Sequence, residues 1–201
     1  MRKIIASLLL FSTLSFAAGG CLLTQQKSLE VTWKAYKTLA KAGVTGKFTS
    51  VEYTPASLEG KNFKELFLGS KVKIDKSKIS TGNEGRDETL VKMFFDKLKG
   101  NYIEAEIVEI KATDKHEKGK PRKGIVKVKI TMNSKSVTIP MRYIYNKGDF
   151  SAKGVIDLFD FSAFKALASI NKACFDLHEG KTWNDVEIGF HTKIVPTLCE
   201  R

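Results

Sequence analysis

The sequence predicts an all-β fold: an eight-stranded antiparallel barrel with one or two short helices. Three observations point there. Apolar and polar residues alternate with period two over most of the chain after residue 27, which gives each segment one dry face. Short turns such as "NSKS" at 133–136 and "NKGD" at 146–149 join several segments at hairpin distance. Helical spacing interrupts the alternation only twice. Strands of this kind must bury their apolar faces by packing two sheets together or by closing one sheet into a barrel, and closure removes exposed edges. An eight-stranded barrel is either just filled by its own side chains or left with room for one slender ligand. Periodicity alone does not choose between these.

Taken in order, the chain opens with Arg2 and Lys3 before the apolar run "IIASLLLFSTLSFA" and the small residues Ala17 to Gly20. This reads as a secretory signal peptide over residues 1–20, too short for a spanning helix, which needs about 20 mostly apolar residues. Residues 21–201 then form one exported domain, periplasmic in location. "AAGGC", ending at Cys21, resembles the box after which a lipoprotein is cleaved and acylated, so a membrane anchor at Cys21 stands as the alternative. The formal charge of +12 falls only to +10 without Arg2 and Lys3. An exported chain meets no cellular nucleic acid, and a lysine-rich solvated exterior explains the charge more simply than an anionic membrane surface does.

The first strand, about 28–36, holds "LEVTWKAY", with Leu29, Val31, Trp33 and Ala35 on one face. Further strands follow at about 43–53, 66–75, 102–111, 123–132, 136–145, 149–158 and 184–195. The last is the clearest, with Val186, Ile188, Phe190, Thr192 and Ile194 alternating against Glu187, Gly189, His191 and Lys193. A charged loop, "TDKHEKGKPRKG", joins the fourth strand to the fifth. Two helices are expected. One follows Asn83 or Asp87 as cap and turns Leu90, Val91, Phe94 and Phe95 inward. The other runs through "FDFSAFKALASIN", with Phe161, Phe164, Leu167, Ala168 and Asn171 at helical spacing.

No residue set argues for catalysis. Glu84, Asp87 and Glu88 lie near Arg86, but adjacent helical residues such as Asp87 and Glu88 point about 100° apart, and a first-turn Asp serves more simply as a cap. Arg86 is expected to hold this turn over the barrel mouth. His116, His178 and His191 are scattered, and Cys174 with His178 lacks the further ligands zinc needs. No cofactor or metal is expected. Cys21, Cys174 and Cys199 in an oxidising compartment give one disulfide and one sulfur left over. The beginning of an up-and-down barrel lies beside its end, which favours Cys21–Cys199. A Cys174–Cys199 pair, with Cys21 lipidated, stays open.

With the elements in place, Thr81-Gly82-Asn83, Arg86-Asp87, Leu90 and the pair Phe94-Phe95 in "STGNEGRDETLVKMFFD" resemble the signature of the YceI-like family, exported polyisoprenoid-binding proteins. "VTWKAYKTLAKAGVTGKFTSV" resembles the family's opening hairpin, and "GVIDLFDF" its Gly-to-Asp-Phe segment, with Leu158 where a basic residue is usual. The resemblance implies a lipocalin-like barrel, no enzymatic activity, and a bound polyisoprenoid, isoprenoid quinone or fatty-acid-like lipid. The aromatics that would otherwise read as plain core then become both core and site. Trp33, Phe48, Val72, Ile74, Ile103, Ile107, Val128, Met141, Tyr143, Ile156 and Phe190 are expected to line the cavity. Phe94, Phe95, Phe161 and Phe164 are expected to close or gate its ends. Transient membrane contact and a homodimer stay open. So do two rival readings: a redox accessory or enzyme acting on a bound quinone, and a filled barrel that acts only through its surface.

Overall fold

Alternation of this kind produces strands, and the computed structural model, which describes residues 21–115, 117 and 119–199, contains twelve of them among those residues. The expected signal peptide and His116 lie outside the described residues. In chain order the elements are β1 (Cys21–Gln25), β2 (Glu30–Lys37), β3 (Ala42–Phe48), β4 (Val51–Thr54), β5 (Glu59–Gly60), α1 (Phe63–Phe67), β6 (Lys71–Asp75), β7 (Ile79–Ser80) and α2 (Glu84–Met93). Then come β8 (Tyr102–Ala112), β9 (Arg122–Met132), β10 (Lys135–Asn146), β11 (Asp149–Asp157), α3 (Phe164–Ala173) and β12 (Asp185–Cys199).

One antiparallel sheet curls round on itself. Pairing runs from β6 through β8, β9, β10, β11 and β12 to β2 and β3. β3 and β4 behave as one strand bent at Thr49 and Ser50, facing β7 and β6, themselves one strand bent at Lys76 to Lys78. Backbone hydrogen bonds from Thr49 N to Lys78 O (2.8 Å) and from Asp75 N to Ser50 O (3.2 Å) carry the ladder through both bends. Counted this way the eight sequence-derived strands are present. Two short strands are additional: β1 pairs with the far end of β12, with Cys21 opposite Cys199, and with β5.

The expected strand at 66–75 is only half strand. Residues 63–67 form α1 instead, because Asn62 Oδ1 accepts from Glu65 N at 3.0 Å and Glu65 Oε2 accepts from Lys61 N at 2.8 Å. This reciprocal cap, legible as Asn-x-x-Glu, overrides the apolar run that reads as a strand. α1 stops one end of the curl. Phe63 lies 5.3 Å from Phe150 and 5.8 Å from Tyr143, and Phe67 lies 4.5 Å from Phe150, as ring centroids. Gln25, buried, locks α1 in place by donating to Leu66 O (2.9 Å) and accepting from Tyr53 Oη (2.7 Å).

α2 and α3 cover the other end. Asn83 is the cap of α2, its Oδ1 accepting from Arg86 N at 2.9 Å. Asp87 instead accepts from both Thr81 N (2.9 Å) and Thr81 Oγ1 (2.6 Å), fastening the helix to the loop before it. α3 is turned relative to the expected stripe. Ser162 takes a left-handed backbone (φ 54°) and the helix begins at Phe164, so its buried residues are Ala166, Leu167 and Ile170. Two polar residues tie this end together. Lys76 Nζ, buried, donates to Phe95 O and Leu98 O, both at 2.6 Å. Asn133, in the turn between β9 and β10, accepts from Lys99 N (2.8 Å) and donates to Phe161 O (2.9 Å).

Candidate functional site

Inside the curl lies a cavity of about 530 Å³, within the range of about 300–1,000 Å³ usual for small-molecule sites. Period-two alternation places its walls: Trp33 and Val31 from β2, Ile103 and Ile107 from β8, Val128 and Ile130 from β9, Met141 from β10, Ile156 from β11, Phe190 and Ile188 from β12. Phe48, Val72 and Ile74 complete the wall, and Phe94 and Phe95 reach it from the end of α2. Twelve of the fifteen residues singled out in the sequence therefore face this space.

The other three do not. Tyr143 packs at the stoppered end against Phe63 and Phe150 and borders a separate, smaller recess. It lies far enough along β10 that the α1 plug, not the cavity, meets its face. Phe161 is fully buried beneath the covering helices without lining the cavity. Phe164 is 54% exposed and stacks on Phe159 at 4.7 Å, because the start of α3 after Ser162 turns it outward.

Sequence reasoning left out several lining residues. Val44, Ala105 and Met132 follow from the same alternation. Leu158 fills with hydrocarbon the position where a basic residue was the usual pattern. The polar rim, by contrast, had no periodic signal. It comprises Asn83, Arg86 and Thr89 on the α2 side and Cys174, His178, Thr182 and Trp183 after α3. Arg86 donates from Nε to Thr81 Oγ1 (2.8 Å) and from Nη2 to Thr81 O (2.9 Å), holding the loop at the mouth. Asn83, Gly85 and Arg86 are exposed, as is Leu177, which also lines the space, so the cavity opens between α2 and the segment after α3.

Electrostatics inside are sparse. Burial raises the Tyr53 phenol above its ordinary value and lowers the Lys76 ammonium. Burial, then the charge of Lys37, lowers the His178 imidazole. Trp33 Nε1 is buried with no partner among the described residues. Its ring lies flat on β3, where a Cβ at Gly46 would come within 2.3 Å of it, so only glycine fits there. Among the described residues no group of three or more His, Cys, Asp or Glu side chains could hold a metal ion. No described helix is long and apolar enough to cross a membrane. The arrangement can enclose an apolar chain.

Solved structures share this architecture at low sequence identity. A polyisoprenoid-binding domain from Saccharophagus degradans, implicated in plant cell wall breakdown, superposes with a TM-score of 0.59 at 9% identity, covering 87% of this chain and 98% of that one. BcnA from Burkholderia cenocepacia gives 0.52 at 16% identity, covering 83% and 96%. A YceI protein from Campylobacter jejuni gives 0.50 at 18% identity, covering 78% and 86%. No curated protein matches the chain. The model of the YceI-like domain, however, matches residues 22–194, nearly the whole of the described chain. With that match spanning every strand of the curl, the chain belongs to the YceI-like domain family.

Proposed function

We propose that the protein is an exported carrier that encloses one extended apolar molecule, an isoprenoid or similar lipid. The observation that carries this reading is the cavity of about 530 Å³ with walls of Val, Ile, Met, Phe and Trp. Each methylene moved from water into such a lining contributes about 0.8 kcal/mol. A chain of about a dozen carbons therefore outweighs the entropy of holding it still. The same space argues against a barrel filled by its own side chains. The polyisoprenoid-binding domain with the same fold supports the choice of ligand class. No residue needs a catalytic role in this reading.

Export follows from residues 1–20 as a signal peptide, and a Cys21–Cys199 disulfide belongs to the same proposal. Directly opposed residues of an antiparallel pair have Cα atoms about 4.5–5.5 Å apart, within disulfide reach, and Cys21 pairs with Cys199 in register. Cys174 is left as the free thiol. Native mass spectrometry of protein purified from its own periplasm, followed by organic extraction, tests the carrier reading. A stoichiometric long-chain lipid is the expected result. Protein that is empty as isolated and takes up no added isoprenoid overturns it.

A further inference from the structure

Beside α3 the cavity is bordered by a chain of hydrogen bonds whose direction can be read from its far end. Gly180 O can only accept, and Asn171 Nδ2 donates to it at 3.3 Å. That fixes the amide, since the flipped form would set two oxygens against each other. Asn171 Oδ1 is then the acceptor for the Thr182 hydroxyl at 2.8 Å. With its hydrogen committed there, Thr182 Oγ1 has only lone pairs to offer His178 Nδ1 at 2.7 Å. Nδ1 must carry the proton, and in the neutral ring Nε2 then carries the lone pair. Burial and Lys37 keep the ring neutral at neutral pH.

His178 and Thr182 both line the cavity at its mouth, and Nε2 has no hydrogen-bond partner among the described residues. Three other polar side chains at the mouth are already engaged. Trp183 Nε1 donates to Thr38 O at 2.8 Å, Thr89 Oγ1 to Gly85 O at 2.8 Å, and Arg86 to Thr81. The mouth thus presents an oriented acceptor at the edge of an apolar space.

We infer that His178 Nε2 receives a hydrogen bond from the head group of the bound lipid, and that this head group is a donor: the free hydroxyl of a long-chain alcohol or phenol. The inference rests on the carrier reading and adds the chemistry of the ligand's polar end. A hydroxyl pairs with the lone pair. An ether or ester oxygen sets lone pair against lone pair and leaves the acceptor unmet, and a phosphate brings negative charge to the same lone pair. Thr182 and Asn171 are positioning residues, since they act by fixing the tautomer.

The test is a competition. Delipidated protein is equilibrated with equimolar geranylgeraniol and geranylgeranyl methyl ether, separated from free ligand, extracted, and the bound pair quantified. The alcohol is expected in about tenfold excess. In His178→Phe the ratio falls to about one, through loss of bound alcohol. Thr182→Val keeps the imidazole but frees Nδ1, so the ring can turn an N–H toward the cavity, and the ratio again falls toward one. A purely structural role for His178 would change the total and not the ratio. Equal binding of alcohol and ether by the native protein, or an undiminished ratio in both variants, overturns the inference and leaves the carrier reading standing. If folded native protein binds neither ligand, the carrier reading fails and this inference with it.

Discussion

Asp87 shows how one side chain can look catalytic in sequence and be mechanical in place. Its carboxylate accepts twice from Thr81, so Asp87→Ala is expected to lower stability by about 1 kcal/mol and to leave bound lipid unchanged, as read by denaturant unfolding and by extraction. Lys76 is the stronger fastening. Lys76→Met removes two charge-assisted bonds from buried carbonyls and is expected to cost about 2 kcal/mol in the same unfolding assay. Nothing in the sequence marked Lys76, because a lysine between two strand segments reads as a solvated turn. The pair Phe190 and His191 separates inside from outside. Phe190→Asp sets a carboxylate in the cavity wall, at a cost of several kcal/mol or protonation, and should empty folded protein of lipid. His191→Asn should retain it. The outward position is not bare to water, as the alternation implied, since His191 Nε2 meets Asp149 Oδ1 at 2.8 Å. Equal lipid in both folded variants would overturn the assignment of this face. His178 also has a pH signature. Its folded-state pKa lies below the unfolded value of about 6.5, so below that pH the unfolded chain binds the proton first. The stability it contributes is complete above pH of about 6.5 and is lost as pH falls through that value toward the folded pKa. The pH dependence of the unfolding midpoint should therefore flatten on the acid side in His178→Gln.

At the scale of elements, the strands from β8 to β12 were legible because alternation survives wherever one face is dry and the other wet. The bends were not. β3 and β4 read as one strand at 43–53 because no glycine or proline marks the break at Thr49, while β7, beyond the bend at Lys76, lies outside every expected strand; the breaks come from tertiary contacts, above all the inward turn of Lys76. α1 shows a local signal overruled in the reading though not in the protein. Asn62 and Glu65 form a reciprocal cap that turns Leu66 and Phe67, the start of the expected strand at 66–75, into the end of a helix. Asn62→Ala is expected to cost about 1 kcal/mol, read as a lower unfolding midpoint. The twelve cavity-facing residues were reachable by alternation and resemblance, whereas the hydrogen-bonded mouth from Asn171 to Thr182 was not. Its order comes from a chain reversal at Glu179 and Gly180, both with positive φ, which brings side chains eleven residues apart into contact.

For the molecule as a whole, whether the interior is filled or hollow could not be read from the sequence, since the same apolar residues line a cavity or pack a core. The outer strands are a separate matter. β1 lies between the far end of β12 and β5, and the proposed Cys21–Cys199 bond would fasten its outer end to β12. Cys199→Ser is expected to release a thiol at Cys21 and to lower the unfolding midpoint, while Cys174→Ser changes neither; thiol titration with and without denaturant reads the difference. The stopper formed by Phe63 and Phe67 of α1 against Phe150 carries a consequence for traffic. With one end blocked, a long occupant cannot thread through. In the carrier reading it would back in tail first and leave head first by the door it entered, so loading and unloading would compete for a single passage. Exchange then requires the old occupant to clear the passage before the new one enters. Dissociation should slow with each added isoprene unit and stay indifferent to the concentration of waiting ligand.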